Sequence, residues 1–273
     1  MDELGDRMKM YEQAEAGRRA MPLLPLCVRL DGRGFSRWTR DLDRPYDVRL
    51  QRLMVATTEA LVQETGALVG YTQSDEISLV LYSDSVKSEL WFGGKFQKLT
   101  SVAAAYASAF FNSRVPHFFN FVERQRALAT FDCRAWNVPS LEEAANTLAW
   151  RELDATKNSV SMAARHYYSH KQLLGLGRAE MLDLMVAKGV NWNDYPAAFK
   201  RGTYVRRRTE VRGFTTEEVE SLPPRHRARK DPGLVVERTV LSTDELPPVT
   251  RITNRVRALF FGETPLVSVP EPT

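Results

Sequence analysis

The sequence predicts an α+β protein with a ferredoxin-like βαββαβ unit, followed by a helical and basic C-terminal half. Two observations support this prediction. Apolar runs of strand length and segments of helical periodicity follow one another in the order strand, helix, strand, strand, helix, strand. Beyond residue 138 the chain turns helical, and basic residues then crowd "FKRGTYVRRR" (Phe199–Arg208) and "PPRHRARK" (Pro223–Lys230).

The first strand and the first helix have clear boundaries in the sequence. Leu23–Leu30 is apolar on both faces, which is typical of a buried strand. In Asp47–Glu64 the apolar residues recur on one helical face, as in an amphipathic helix. Asp47 is predicted to cap the start of this helix, and Gly66 to end it.

The remaining elements complete the βαββαβ order. Leu68–Tyr71 and Ile77–Tyr82 are separated by a short polar turn, which predicts a hairpin. The alanine-rich segment Gly93–Ser113 predicts the second helix, and Ala127–Val138 predicts the fourth strand.

Length and composition limit the classes of protein that fit. At 273 residues and 31.1 kDa, the chain can form one large domain or two modest ones. No apolar run approaches bilayer length, and the charged N-terminus does not fit a signal peptide, so we expect a cytoplasmic protein that does not bind membranes. Cys27 and Cys133 are the two cysteines, and both lie in predicted strands, as expected for reduced, buried thiols.

Acidic residues stand at the ends of the most hydrophobic strands. Right-handed crossovers place the first and third strands side by side and antiparallel, so Asp31 should meet Asp75 and Glu76 at one sheet edge. Carboxylates this close raise one another's pKa unless a cation neutralises them. Mg²⁺ is the hard cation that carboxylates share with substrate phosphates, and two such ions can clamp the oxygens of a phosphoryl displacement.

Each piece of this pattern also has an ordinary structural explanation. Asp-Gly and Ser-Asp-Glu are common turn sequences, and only their convergence in one topology favours a site. The glycines of "DGRGF" after a strand are typical of loops that hold phosphate. Lys95 and Lys98, at i and i+3 of a predicted helix, are equally consistent with triphosphate ligands and with surface lysines.

The basic segments leave two interpretations open as well. The net charge of +4 is only a mild indication of an anionic partner. Phe199–Arg208 and Pro223–Lys230 fit either a solvated arginine-rich loop or a nucleic-acid surface. His166 and His170 are spaced at i and i+4, but further ligands are lacking nearby, so we interpret them as surface residues of a helix.

Several motifs together resemble one known family. "VRLDGRGF", "QSDE", "KFQKL", "DCR", "WRELDATKN" and "FKRGT" are similar to motifs of tRNA-histidine guanylyltransferase and its relatives, which extend RNA at the 5′ end in the 3′-to-5′ direction. The resemblance covers most of the chain, from "LGDRMKMYE" to about Tyr204. It implies a polymerase-like palm in residues 1–140, packed against an RNA-contacting region in residues 141–273, and a homotetramer.

The resemblance also implies roles for individual residues. Two Mg²⁺ would be held by Asp31, the Gly32 carbonyl and Asp75, with Glu76 beside them as a further catalytic acid. The incoming ATP or GTP, substrates in this family, would be bound by residues of the strand-end loop, of the "QSDE" turn and of the following helix: Gly32, Arg33, Gly34, Phe35, Ser36, Arg44, Asp47, Ser74, Lys95 and Lys98.

RNA contacts are implied for the C-terminal region. The partner would be the 5′ end of a tRNA acceptor stem, contacted by residues of "WRELDATKN" and of the first basic segment: Asp154, Asn158, Lys200, Arg201, Arg206, Arg207 and Arg208. Tyr167, Tyr168 and Trp192 are available for base stacking, although aromatics at such spacings are more often core residues.

One departure from the family pattern bears on substrate choice. Eukaryotic-type members carry His-Ile-Asn-Asn where this chain has Thr156, Lys157, Asn158 and Ser159. The chain is therefore more similar to the bacterial, archaeal and phage-type branch, whose members repair 5′-truncated tRNA by template-directed addition. Strict addition of one guanosine to tRNA-histidine stays open as the alternative.

Two other classes of function are also consistent with parts of the pattern. A nucleotide cyclase uses a similar palm and metal carboxylates, but the Gly-Gly-Asp/Glu-Glu-Phe hairpin of one cyclase type is absent, and a cyclase would not need the basic segments. A non-catalytic RNA-binding module could lose the acids, whereas this chain keeps all three. Labelled 5′-truncated tRNA, Mg²⁺ and nucleotides would separate these classes, because only the first yields a longer RNA.

Overall fold

The computed structural model describes residues 3–119, 127–231 and 233–268. In chain order its helices and strands are α1 (Glu3–Ala16), β1 (Leu26–Arg33), α2 (Phe35–Trp38), α3 (Val48–Thr65), β2 (Val69–Gln73), β3 (Glu76–Leu81), α4 (Phe96–Phe118), β4 (Thr130–Asn137), α5 (Leu141–Tyr167), α6 (His170–Leu173), α7 (Arg178–Ala187), α8 (Ala197–Arg201), β5 (Thr203–Gly213), α9 (Thr216–Ser221), β6 (Val235–Asp244) and α10 (Arg255–Phe260).

Within these residues the strands form one antiparallel sheet. Its order is β4-β1-β3-β2-β5-β6, and the first four strands reproduce the ferredoxin-like order. The predicted βαββαβ unit is therefore confirmed. The predicted placement of the first strand beside the third is also confirmed, with Leu26 opposite Leu81 and Asp31 opposite Glu76.

The two faces of the sheet bury different side chains because strand residues alternate in direction. Leu26, Val28 and Leu30 of β1 belong to a core that includes buried residues of α3 and α4. Cys27 belongs to a second core with small residues of α5 and with residues of α10. The strand register places Arg29 and Asp31 on this second face.

The helix α3 begins and ends where the local capping residues of the sequence predict. Asp47 accepts hydrogen bonds from the backbone N–H groups of Arg49 and Leu50, as expected of an N-cap. Gly66 ends the helix in the left-handed conformation, with φ of 71°. Both predicted boundaries of α3 are confirmed.

The C-terminal half is not purely helical. The basic segment Phe199–Arg208 forms α8 and the start of β5, and β5 pairs with β2 and then with β6. The interpretation of this segment as a solvated loop is therefore wrong. The sheet contains strands from both of the regions that the resemblance implies, residues 1–140 and 141–273, because β5 and β6 extend the sheet of the N-terminal half.

The cysteine prediction agrees with the structure. Cys27 is buried, Cys133 is partly buried, and both are free thiols. Burial raises the pKa of Cys27 to about 11 and that of Cys133 to about 12, so both stay protonated at neutral pH. As for membranes, none of the helices in the described ranges is long and apolar enough to cross a bilayer.

Candidate active site

The acidic residues of the two motifs meet at one end of the sheet. Asp31 pairs with Glu76 across β1 and β3, and the Gly32 N–H donates to the Asp75 carbonyl at 3.0 Å. Asp75 occupies the tight turn between β2 and β3, after Ser74, whose φ is 50°. The turn thus carries the Asp75 side chain to the end of β1.

The Asp75 carboxyl group carries the electrostatic signature of this convergence. Burial raises its pKa, while a hydrogen bond from the Ser74 hydroxyl at 3.0 Å lowers it. The negative charges of Asp31 and Glu76 add to the increase. A partly buried carboxylate among like charges favours a bound cation, which would relieve this unfavourable interaction.

The donor set fits Mg²⁺ better than a closed metal cage. In the described part of the chain, no three His, Cys, Asp or Glu side chains are grouped so that they could enclose a metal. Mg²⁺ typically uses one or two protein carboxylates and completes its octahedron with water and substrate phosphate oxygens. Asp31 and Asp75, with the Gly32 backbone between them, offer such an incomplete set.

The Glu76 side chain forms an ion pair with Arg151. Its carboxylate receives two hydrogen bonds from Arg151 of α5, from Nε at 2.6 Å and from Nη2 at 2.8 Å. Both residues are buried, with exposed fractions of 5% for Glu76 and 6% for Arg151. Glu76 is therefore held as the anion of a buried ion pair next to the site, and both of its oxygens are occupied.

The Arg151 ion pair extends outwards along α5. Its Nη2 also donates to Asp154 at 3.0 Å, and the Asn158 amide donates to the same carboxylate at 3.1 Å. Asp154 and Asn158, which were predicted to contact RNA, are thus linked to Glu76 through Arg151. No role for Arg151 is predicted from the sequence, although this residue stands in the "WRELDATKN" segment.

The loop after Asp31 needs its glycines for steric reasons. A Cβ atom on Gly32 would lie 2.4 Å from the Phe35 ring, so a side chain at this position would displace Phe35. Gly34 has a φ of 68° and open space where a side chain would project. Phe35 itself is a core residue, so it can reach a nucleotide only through its backbone, whereas Arg33 and Ser36 are exposed.

The two lysines line one cleft, although not from one helical face. Lys95 is the residue before α4, with extended backbone, and Lys98 lies in the first turn. They line an open cleft together with Arg19, Glu89 and Phe92. The Lys98 ammonium lies 4.7 Å from the centroid of the Phe92 ring. The predicted i, i+3 arrangement on a helix is corrected, but the cationic cleft is present.

A second, more enclosed pocket lies behind the Asp75 turn. It is lined by residues of α3 and the two positions before it, of the end of β2 and the turn after it, of α5, of α8 and of the start of β5: Tyr46, Asp47, Leu50, Gln51, Met54, Thr72, Gln73, Ser74, Ala155, Ser159, Met162, Ala198, Phe199 and Thr203. Tyr46 stacks on Phe199 with ring centroids 4.9 Å apart.

The carboxylate of Asp47 is 2% exposed and accepts hydrogen bonds from three backbone N–H groups and from the Arg49 guanidinium, so it caps the helix α3. The exposed Arg44 donates to the Thr39 carbonyl at 3.2 Å.

The arginines of β5 have structural partners. Arg206 is fully buried and donates to Asp244 at 2.6 Å and to the Ala258 carbonyl at 2.5 Å. Its predicted RNA contact is corrected, because no part of the side chain reaches solvent. Arg207 donates to the carbonyls of Val62 and Ala67 and so completes the C-terminal end of α3.

The other basic residues of this segment are only partly available. Arg208 pairs with Asp244 at 2.6 Å and is 40% exposed. Lys200 donates to the Asn193 carbonyl at 2.5 Å, and Arg201 donates to the Leu246 carbonyl at 3.3 Å. An RNA contact by these three side chains stays a prediction that requires them to exchange or share these partners.

The aromatic and histidine residues of the helical region belong mainly to packing. Tyr168 and Trp192 pack on the small core formed by α5 and α7. Trp192 also donates to the Ser159 hydroxyl at 3.2 Å, and Tyr167 bonds to Tyr195 at 3.2 Å. His166 lies on α5 and His170 begins α6, so they do not share one helix; both are exposed, as predicted.

The fold and the site together define a class. A ferredoxin-like sheet, with carboxylates converging at the end of β1 and the β2–β3 turn and a cationic cleft, is the arrangement of palm-type nucleotidyltransferases.

Comparisons with known proteins identify the family within that class. The family described as tRNAHis guanylyltransferase (Thg1) matches residues 5–139. A bacterial tRNA(His) guanylyltransferase (Thg1)-like protein solved in complex with ATP is 34% identical with a TM-score of 0.76, over 94% of this chain and 98% of that chain. A bacterial protein of the same description, in complex with GTP, is 32% identical with a TM-score of 0.70, over 91% of this chain and 94% of that chain.

Curated sequences agree with this result. The tRNA(His) guanylyltransferase of Schizosaccharomyces pombe is 28% identical over 210 residues, which are 72% of this chain and 77% of that protein. The chain belongs to the tRNA(His) guanylyltransferase (Thg1) family, and it is a tRNA guanylyltransferase-like nucleotidyltransferase.

Proposed function

We propose that the protein adds nucleotides to the 5′ end of tRNA in the 3′-to-5′ direction and repairs 5′-truncated tRNA by template-directed addition. ATP or GTP first activates the 5′-phosphate of the RNA. The observation that carries this proposal is the convergence of Asp31 and Asp75 beside the Gly32 loop, in a chain 34% identical to a relative solved with ATP.

Two displacements at phosphorus would take place at this convergence. In the first, an oxygen of the RNA 5′-phosphate attacks the α-phosphorus of the triphosphate, and pyrophosphate leaves. In the second, the 3′-hydroxyl of the incoming nucleotide attacks the RNA 5′-phosphorus, loses its proton, and the activating nucleoside monophosphate leaves. Such reactions depend mainly on positioning and on charge neutralisation, which fits a site without an obvious covalent nucleophile.

The residues of the chain divide this work. Asp31, Asp75 and the Gly32 carbonyl would hold two Mg²⁺, which supply charge neutralisation to the attacking and leaving oxygens when bound. The glycine loop allows close approach of phosphates to the backbone, and the Lys95–Lys98 cleft offers positive charge for the triphosphate. The ion pair between Glu76 and Arg151 would hold the start of β3 against α5 beside the site.

The enclosed pocket behind the Asp75 turn supports a nucleoside subsite. Apolar walls from Leu50, Met54 and Met162 and the Tyr46–Phe199 stack suit a flat base, while Gln73 and Ser74 offer polar groups next to Asp75. Ser159, at the position of the last asparagine of the eukaryotic-type segment, lines the same pocket. The position at which this chain has Ser159 and the eukaryotic-type members have asparagine is therefore in contact with the candidate nucleoside subsite.

Replacement of Lys95 and Lys98 by Ala should weaken triphosphate binding about tenfold and leave the affinity for tRNA nearly unchanged. The triphosphate would lose the charge-assisted contacts that the two ammonium groups make to its phosphate oxygens. The dissociation constants for ATP, GTP and tRNA check this prediction. Lys87→Ala is the matched control, since Lys87 is an exposed lysine upstream of the same cleft that does not line it. Equal losses of triphosphate and tRNA affinity would place the two lysines on an RNA surface instead.

Template-directed addition predicts that the added base follows the opposing strand. Truncated tRNAs that differ only in the nucleotide facing the gap should each receive its Watson–Crick complement, because a site that holds a base pair by shape excludes mismatches. Sequencing of the extended 5′ ends measures this directly. Guanosine added opposite every base would support strict tRNA-histidine guanylyltransfer, the alternative for which the family description is the evidence. No extension of any RNA would contradict both.

A further inference from the structure

Trp150 of α5 is an exposed aromatic residue beside the active-site strand. Its exposed fraction is 53%. The guanidinium carbon of Arg151 lies over the indole, 4.6 Å from the ring centroid, and the same guanidinium group donates to both carboxylate oxygens of Glu76. Glu76 in turn pairs with Asp31 across β3 and β1. A short series of contacts therefore connects the indole to the end of the sheet that carries the acids.

The side of α5 that carries Trp150 faces β1. Thr147 precedes Trp150 by three residues, and residues at this spacing are neighbours on the surface of a helix. The Thr147 side chain is a hydrogen-bond partner of the Cys27 thiol of β1. The indole therefore lies along the helix edge that borders β1, the strand that ends with the Asp31 loop.

The enclosed pocket behind the Asp75 turn uses another face of α5. This helix contributes Ala155, Ser159 and Met162 to the lining of the pocket. At 3.6 residues per turn, these three positions lie roughly 120–180° around the helix from Trp150. The indole and the pocket are therefore on different sides of α5, so a nucleoside in the pocket is not the group that contacts Trp150.

The surroundings of Trp150 favour RNA as its ligand. Indole planes stack on nucleobases of any sequence. Lys157 follows Trp150 by seven residues on the same helical face, is exposed, and forms no ion pair with a described residue, so its positive charge is available to a phosphate. Tyr168 and Trp192, which the sequence offered for base stacking, are instead packed in a core. The base that the proposed reaction brings to the acids from outside the pocket is that of the RNA 5′ end.

We propose that Trp150 is the stacking platform for the nucleobase at the 5′ end of the RNA. The inference rests on the proposed function, because it takes the RNA end as the substrate. The terminal base lies on the exposed face of the indole, Arg151 supports the other face, and the 5′-phosphate of the same nucleotide lies towards Asp31 and Asp75. Trp150 is thus a binding residue that aligns the RNA end and does not touch the reacting atoms.

The test compares Trp150→Ala with the wild-type chain on two truncated tRNAs that carry a 5′-phosphate. The 5′-terminal nucleotide has its base in one RNA and is abasic in the other. Fluorescence anisotropy measures the dissociation constants without nucleoside triphosphates, so that no reaction changes the RNA end. Trp150→Phe keeps an aromatic plane. Phe261→Ala is the matched control, because Phe261 is similarly exposed, at 52%, and the guanidinium carbon of Arg257 lies over its ring, 5.6 Å from the centroid.

Trp150→Ala should weaken binding of the RNA with an intact end about tenfold, as loss of one base–aromatic stack predicts, and should leave binding of the abasic RNA nearly unchanged. Trp150→Phe should restore most of the affinity, and Phe261→Ala should alter binding of neither RNA. Equal losses with both RNAs would overturn the proposal, because Trp150 would then act through Arg151 or the RNA backbone. Unchanged affinities would also overturn it, and a changed oligomeric state in sedimentation would then assign the indole to a contact between copies of the chain.

Failure of the proposed function is a separate result. A wild-type chain that extends no RNA, but whose preference for an intact 5′-terminal base depends on Trp150, would retain the stacking platform and reject the proposed function. A chain that extends truncated tRNA without any such dependence would retain the proposed function and reject the stacking platform.

Discussion

Replacement of Asp31 or Asp75 by Ala is expected to reduce both the activation of the RNA 5′ end and nucleotide addition on the order of 10³-fold or more. Both displacements would use the same pair of carboxylates, so one substitution should abolish both. Single-turnover assays separate the steps: 5′-monophosphorylated RNA reports activation, and RNA with a preformed 5′-triphosphate reports addition alone.

The fold should survive these substitutions. Burial raises the pKa of Asp75, and the charges of Asp31 and Glu76 add to this effect, so the ionised Asp75 is a source of instability when no cation is bound. Because the raised pKa disfavours the ionised form in the folded state, removal of the carboxylate should leave the stability at neutral pH unchanged or slightly higher. Asp84→Ala, at an exposed position three residues after the end of β3, is the control and should retain full activity. Retention of a substantial rate by either active-site variant would refute the two-metal proposal.

The ferredoxin-like core could be predicted because its signals are local. The hydrophobic period changes from strand to helix at recognisable positions, Asp47 and Gly66 mark the ends of α3, and the Ser74–Asp75 turn defines the hairpin. Once the element order is known, the handedness of crossovers fixes β1 beside β3. The convergence of Asp31 with Asp75 and Glu76 then follows without any knowledge of side-chain contacts.

The strands β5 and β6 could not be predicted because their stabilising contacts are distant in sequence. Three consecutive arginines indicate a surface, yet Arg206 is buried by Asp244, 38 residues later, and by the Ala258 carbonyl. Arg207 similarly completes the end of α3, which ends about 140 residues earlier. Charge composition alone cannot distinguish an arginine that binds RNA from one that serves as an internal donor.

The assignment of Glu76 shows the same limit within the site. Its place beside Asp75 made it a candidate for metal chemistry, whereas its partner Arg151 lies 75 residues away on α5. The segment "WRELDATKN" is one of the motifs that resemble the family, but the sequence alone does not explain why it contains an arginine. The structure supplies that reason: a helix outside the ferredoxin-like unit is joined to the active-site strand by a buried ion pair.

This ion pair leads to the largest expected effect on stability. Arg151→Met should lower the free energy of unfolding by about 3 kcal/mol, because it removes both hydrogen bonds to the buried Glu76 carboxylate and leaves it only the longer ion pair with Arg29, at 3.6 Å. Met keeps much of the apolar volume that packs beside Trp150, whose ring lies 4.6 Å from the Arg151 guanidinium carbon. The double variant Arg151→Met with Glu76→Gln should recover part of the loss, since the buried Glu76 side chain then carries no charge. Urea unfolding of the four chains of this cycle measures the effect.

Arg257→Met provides the comparison for an exposed ion pair. Its partner Glu263 lies 3.7 Å away and both side chains are at least half exposed, so its loss should cost less than about 1 kcal/mol. If Arg151→Met were no more destabilising than Arg257→Met, the buried pair would not be what joins α5 to β3. If Arg151→Met were strongly destabilising but the double variant equally so, the Arg151 contacts with Asp154 and Trp150 would account for the loss instead of the charge of Glu76.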